Sequence, residues 1–117
     1  VLVVDDNKDV VDILTRLISR YGMNALPAYN GRECLEIVQR SAVDVIVLDV
    51  MMPGMDGLEV CAELKNLALS IPVILLTAKD DMATRGAGMS LGVSEFVVKP
   101  VNNKDLLAHI KTQISAR

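Results

Sequence analysis

Five short apolar-rich runs, at residues 1–5, 23–28, 44–49, 72–77 and 95–98, alternate with five segments whose apolar residues recur at helical spacing. A run without polar alternation, such as V-L-V-V at the start, is a strand covered on both faces. Strands that alternate with amphipathic helices build a parallel sheet wrapped by those helices. The alternation therefore predicts an α/β chain, and 117 residues accommodate one such domain, spanning 1–117.

The helical segments carry their own boundaries. Val10, Val11, Ile13, Leu14, Leu17 and Ile18 form one apolar face, with Tyr21-Gly22 as its stop. Asn30 is placed to cap a second helix bearing Cys34, Leu35 and Val38, and Asp56 a third bearing Val60, Cys61, Leu64 and Leu67. Asn102 or Asn103 caps the last, with Leu106, Leu107, Ile110 and Ile114 inward. The fourth, over 81–91, holds Gly86 and Gly88 in its interior, each costing about 1 kcal/mol relative to alanine, and is expected to be mobile.

Charge and cysteine usage narrow the function classes. A net charge of −3 without a basic stripe argues against nucleic acid as a direct partner, since phosphate neutralisation needs clustered Lys and Arg. The apolar runs fall far short of the roughly 18 residues of a membrane span. Cys34 and Cys61 sit in helical patterns outside any metal-type spacing and read as reduced core residues. With no signal peptide before Val1, a cytoplasmic location is expected.

In open α/β sheets, ligands bind beyond the carboxyl ends of the strands. Here the first strand ends in Asp5-Asp6, the third in Leu48-Asp49, the fourth in Leu76-Thr77-Ala78 and the fifth in Val98-Lys99-Pro100. Three carboxylates, a hydroxyl and an ammonium converge if strands one, three, four and five are neighbours. Adjacent carboxylates at a buried strand end repel, so they either stand in water or share a cation.

Four motifs, V-V-D-D, L-D-V-M-M-P-G-M-D-G, L-L-T-A and V-V-K-P, follow one another in order from near the start of the chain to near its end. Together they resemble the receiver domain of two-component response regulators. The resemblance implies a flavodoxin-like, doubly wound, five-stranded parallel sheet of order 2-1-3-4-5 with five helices. It implies that Asp49 accepts a phosphoryl group from a sensor histidine kinase or a histidine phosphotransfer protein, and that the resulting switch controls an output partner or domain. Mg²⁺ or Mn²⁺ would be held by Asp5, Asp6, Asp49 and the backbone carbonyl of Met51. Lys99 would pair with the phosphoryl group, Thr77 would donate its hydroxyl to it, and Phe96 would follow the movement of Thr77. Pro100 matches the family's cis bond. Met51 and Lys79, two positions beyond Asp49 and Thr77, would flank the water that hydrolyses the aspartyl phosphate.

Other readings stand beside this one. Asp5 and Asp6 alone suit a solvated strand end, Phe96 suits core filler, and His109 reads as a structural histidine. Met51, Met52 and Met55 suit either packing or a docking surface. A flavin carrier of the same fold needs phosphate-binding hydroxyls where D-D-N-K-D is acidic, and aromatics to stack a flavin where this chain has 3%. An aspartyl-phosphate phosphatase carries a second aspartate two residues after the nucleophile, where this chain has Met51. A degenerate receiver lacks one of the acidic or lysine positions, all of which are present. Val101 stands where the family is frequently aromatic. The segment M-A-T-R-G-A-G-M-S-L-G lacks most charges of one subfamily's dimer face.

Overall fold

A computed structural model describes residues 1–78 and 82–115. Its elements run β1 (Leu2–Val4), α1 (Lys8–Arg20), β2 (Leu26–Ala28), α2 (Gly31–Arg40), β3 (Ile46–Asp49), α3 (Gly57–Asn66), β4 (Val73–Thr77), α4 (Met82–Ser90), β5 (Glu95–Val98) and α5 (Asn103–Ser115). The five strands are parallel and ordered β2-β1-β3-β4-β5, the doubly wound arrangement. Position 81, where the fourth helix is expected to begin, lies outside the described residues.

Side-chain alternation divides the core between two sheet faces. Leu2, Val4, Ile46, Leu48, Val73 and Leu75 face α2 and α3, whereas Val3, Val45, Val47, Ile74 and Leu76 face α1 and α5. Coverage on both faces holds for β1, β3 and β4. The edge strands differ: Leu26 and Pro27 are exposed and β5 is half-buried throughout. An edge also tolerates Pro27, which has no N–H to donate to a ladder.

The expected caps are present. Asn30 Oδ1 accepts from Glu33 N at 2.9 Å, and Asp56 with Glu59 forms a reciprocal capping box. Of the two candidates for α5 it is Asn102 whose side chain accepts from Lys104 N and Asp105 N. Asn7 caps α1 by accepting from Asp9 N and Val10 N. Helices α1, α3 and α4 all close with a Schellman motif: Met23, Leu69 and Val93 donate to the carbonyls of Ile18, Leu64 and Gly88. Its left-handed residue is Gly22 in α1 and Gly92 in α4, but Ala68, at φ 57°, in α3.

Cys34 and Cys61 are free and buried, as expected of core thiols. Burial pushes the Cys34 thiol up to about 12 and that of Cys61 up to about 11. His109 Nδ1 lies 2.8 Å from Glu95 Oε1, and Gln113 Nε2 donates to Glu95 Oε2 at 2.9 Å, so this histidine ties α5 to β5. Met52 is buried and Met55 packs against Gly31, while Met51 is exposed.

Candidate functional site

Strand register brings the polar residues to one edge. Val4 pairs with Leu48, Asp49 with Leu76, and Thr77 with Val98. Each strand thus ends beside the next, and Asp5, Asp49, Thr77 and Lys99 line the carboxyl edge in that order. Thr77 and Lys99 are joined further by the Lys99 N–H, which donates to the Thr77 carbonyl at 2.8 Å. The Lys99–Pro100 peptide bond is cis.

Pleating then sorts the side chains. Asp5, Asp49 and Lys99 continue the positions that face α1 and α5, whereas Thr77 continues the line of Val73 and Leu75 on the opposite face, which Phe96 shares. Asp5 and Asp49 are buried and Asp6 is exposed, as expected of adjacent residues leaving a strand. The carboxylates of Asp5, Asp6 and Asp49 offer one oxygen each within 4.8 Å of one another. Burial, above all, raises the Asp5 pKa, and the neighbouring Asp49 charge adds to it. A partial counterweight is the Asn7 N–H, which donates to Asp5 Oδ1 at 3.0 Å.

Lys99 Nζ donates to Asp49 Oδ1 at 2.6 Å, and the Met51 N–H approaches the same oxygen at 3.4 Å. The ammonium is 40% exposed and the carboxylate only 5%, so a cation on a flexible stem reaches from solvent over a buried anion. Thr77 Oγ1 is buried without a hydrogen-bond partner, the only such side-chain atom among the described residues. An unpartnered buried hydroxyl forfeits its hydration, a cost of about 1–3 kcal/mol.

One feature of the site rests on a glycine. A β-carbon on Gly57 would stand 2.7 Å from the Asp49 carbonyl oxygen and 2.9 Å from Val50 Cα. Only glycine allows α3 to begin so close beneath the Asp49 backbone, where Gly57 N donates to Val50 O at 2.9 Å. The capping aspartate of M-D-G was legible, but the glycine's purpose was not, because the approach is tertiary. Lys79, expected beside the site, lies outside the described residues.

The hard oxygen donors of Asp5, Asp6 and Asp49 suit a divalent cation of the Mg²⁺ class, which takes one or two carboxylates and retains several waters. A family model, the response regulator receiver domain, matches residues 1–111. The chain belongs to that family. The receiver domain of Francisella response regulator 1452 is similar at 28% identity and a TM-score of 0.91, with 98% of this chain and 95% of that one covered. The signal receiver domain of a signal transduction histidine kinase from Syntrophus aciditrophicus is 32% identical, with a TM-score of 0.88 and coverage of 98% and 89%. Vibrio cholerae chemotaxis protein CheY4 is 28% identical over 95% and 94% of the two chains, with a TM-score of 0.88. Receiver domains are phosphorylation-regulated signalling switches that bind Mg²⁺ at an acidic pocket, and this receiver has such a cluster. Among the described residues, no helix is long and apolar enough to cross a membrane.

Proposed function

We propose that this receiver accepts a phosphoryl group onto Asp49 from a phosphohistidine of a sensor histidine kinase or a histidine phosphotransfer protein, and so regulates an output partner or domain. The observation that carries this reading is the buried Asp49 that holds Lys99 at 2.6 Å, with the orphaned Thr77 hydroxyl at the end of the adjoining strand.

A carboxylate oxygen of Asp49 attacks phosphorus, the bond to the donor nitrogen breaks, and that nitrogen leaves with the electron pair. Attack by one anion on another requires charge neutralisation. Lys99 supplies part of it as a point charge, exchanging its contact with Asp49 for the phosphoryl oxygens. Thr77 Oγ1 donates to a phosphoryl oxygen and gains the partner it lacks. Asp5, Asp6 and Asp49, with the backbone carbonyl of Met51, would hold Mg²⁺ or Mn²⁺. When bound, the cation supplies further neutralisation of the phosphoryl oxygens. The protein thereby catalyses its own modification rather than turnover of a metabolite. Thr77 and Phe96 share one sheet face, Phe96 standing opposite Leu75 with Thr77 two residues further along, so movement of Thr77 is passed to Phe96 as the switch.

The direct test is incubation with acetyl phosphate and Mg²⁺, followed by intact mass. One phosphate is expected on the wild-type chain and none on Asp49→Asn. Equal labelling of the two would remove Asp49 from its role.

A further inference from the structure

A cavity of about 420 Å³ opens between the C-terminal ends of α3 and α4, at the amino edge of the sheet and away from Asp49. Its volume is that of a small-molecule pocket. Leu64 and Val73 line it as buried residues, while Leu69, Leu91 and Val93 are only half-buried, so an apolar occupant would complete their cover. The polar side chains select the charge of that occupant. Lys65 is the only charged lining residue among those described, and its Nζ gives one of its three donors to the Ser90 carbonyl, at 3.4 Å. The Ser90 hydroxyl donates to the Gly86 carbonyl at 3.2 Å, and Ser70 adds a second hydroxyl to the lining. A carboxylate, which only accepts, matches Lys65 and Ser70, whereas an ammonium would meet Lys65 as a like charge. The cavity also adjoins the packing of α4 on β5: a β-carbon on Gly88 would meet both Val93 Cγ2, at 3.3 Å, and the Phe96 ring. An occupant pressed on Val93 is therefore felt at Phe96.

We propose that this cavity binds small monocarboxylates with an apolar chain, the carboxylate at Lys65 and Ser70 and the chain over Leu69, Leu91 and Val93. The cavity shares no residue with the acidic cluster of Asp5, Asp6 and Asp49. The proposal therefore stands whether or not Asp49 accepts a phosphoryl group.

The experiment titrates octanoate and octylammonium, which carry the same chain and opposite charges, into the protein at low-millimolar concentration and follows NMR signals. The net charge of −3 favours the cation at any nonspecific site, so preference for the anion reports Lys65. Octanoate is expected to give saturable shifts at the amides of Leu69, Leu91 and Val93 and at the Phe96 ring, and to bind about threefold or more tighter than octylammonium. Hexanoate, two methylenes shorter, is expected to bind about fivefold more weakly than octanoate, the cover of the chain being incomplete. Lys65 is exposed, so Lys65→Gln leaves the fold intact, and it is expected to lower octanoate affinity about three- to fivefold, the loss of one exposed ion pair. Octylammonium binding as tightly as octanoate overturns the proposal, as does an octanoate affinity unchanged by Lys65→Gln. Shifts that fail to saturate, or that centre on Val10 and Leu106 instead, overturn it too.

Discussion

The ring of Phe96 lies against the bare α-carbon of Gly88: a β-carbon there would stand 2.7 Å from Cε1 and 2.8 Å from Cζ. The two glycines of α4 thus differ. A β-carbon on Gly86 meets nothing within 4 Å. Gly86 merely weakens the helix, whereas Gly88 seats the aromatic ring of β5 against it.

The pair makes a controlled comparison. Gly86→Ala is expected to raise stability in urea unfolding by about 0.5–1 kcal/mol, the usual gain at an open helical position. Gly88→Ala forfeits that gain, because the ring or α4 must shift. Phe96 is the only phenylalanine in the chain, so its ring signals are unambiguous by NMR. They should move in Gly88→Ala and remain in place in Gly86→Ala.

Ala68 offers a second stability test. It holds the left-handed position of a Schellman motif that Gly22 and Gly92 fill elsewhere in the fold. The left-handed region costs a residue with a β-carbon about 1–2 kcal/mol, part of which glycine returns as greater freedom when unfolded. Ala68→Gly is therefore expected to stabilise by about 0.5–1 kcal/mol, and Gly22→Ala to destabilise by a similar amount. A fall in the urea midpoint for Ala68→Gly contradicts this.

Crowding of Asp5, Asp6 and Asp49 predicts metal-linked stability. A cation bound only by the folded chain stabilises it by about 2.7 kcal/mol at a hundred times its Kd. Millimolar Mg²⁺ should raise the melting temperature, and Asp6→Asn should abolish most of that rise. Without metal, Asp6→Asn should be no less stable than wild type, since it removes a repelling charge. Retention of the full Mg²⁺ response in Asp6→Asn excludes Asp6 as a ligand.

The core thiols set an alkaline limit. Folding raises the Cys34 pKa to about 12 and the Cys61 pKa to about 11, from an ordinary 9.0. In that window the unfolded chain has lost protons that the folded chain keeps, so stability falls as pH rises above about 9. Below it, these thiols contribute no pH dependence. Urea unfolding at pH 8 and pH 10 should show a smaller loss in the Cys34→Ala, Cys61→Ala double variant, even though the cavities lower its stability at both.

How much was legible in the sequence follows from the range of the forces involved. Asn30 and Asp56 were readable as caps because a cap is a local hydrogen bond over three residues. The gathering of Asp5, Asp49, Thr77 and Lys99 was readable because each ends a strand, and parallel strands end together. Residues 23–25 read as strand, but Met23 N donates to Ile18 O and so completes the end of α1 instead. Gly57 and Gly88 could not be read, because each is specified by what approaches it from another element: the Asp49 backbone in one case and the Phe96 ring in the other.

Lifetime of the phosphorylated state follows from the residue at the mouth of the site. Met51 is 72% exposed, and its backbone N–H approaches Asp49 Oδ1 at 3.4 Å. Hydrolysis of an aspartyl phosphate needs a water oriented for attack, and a thioether is a weak acceptor that cannot serve as a general base. Lys79, paired with Met51 by its position in the motif, has donors and no acceptor. If these two positions flank the attacking water, as the resemblance to receiver domains implies, neither side chain offers the acceptor that would orient it. A comparatively long-lived phosphorylated state is therefore expected. Timing phosphate loss after donor removal checks it: Met51→Asn with Lys79→Glu introduces an amide and a carboxylate and should accelerate decay. Unchanged or slower decay in the double variant means that these two positions do not set the lifetime.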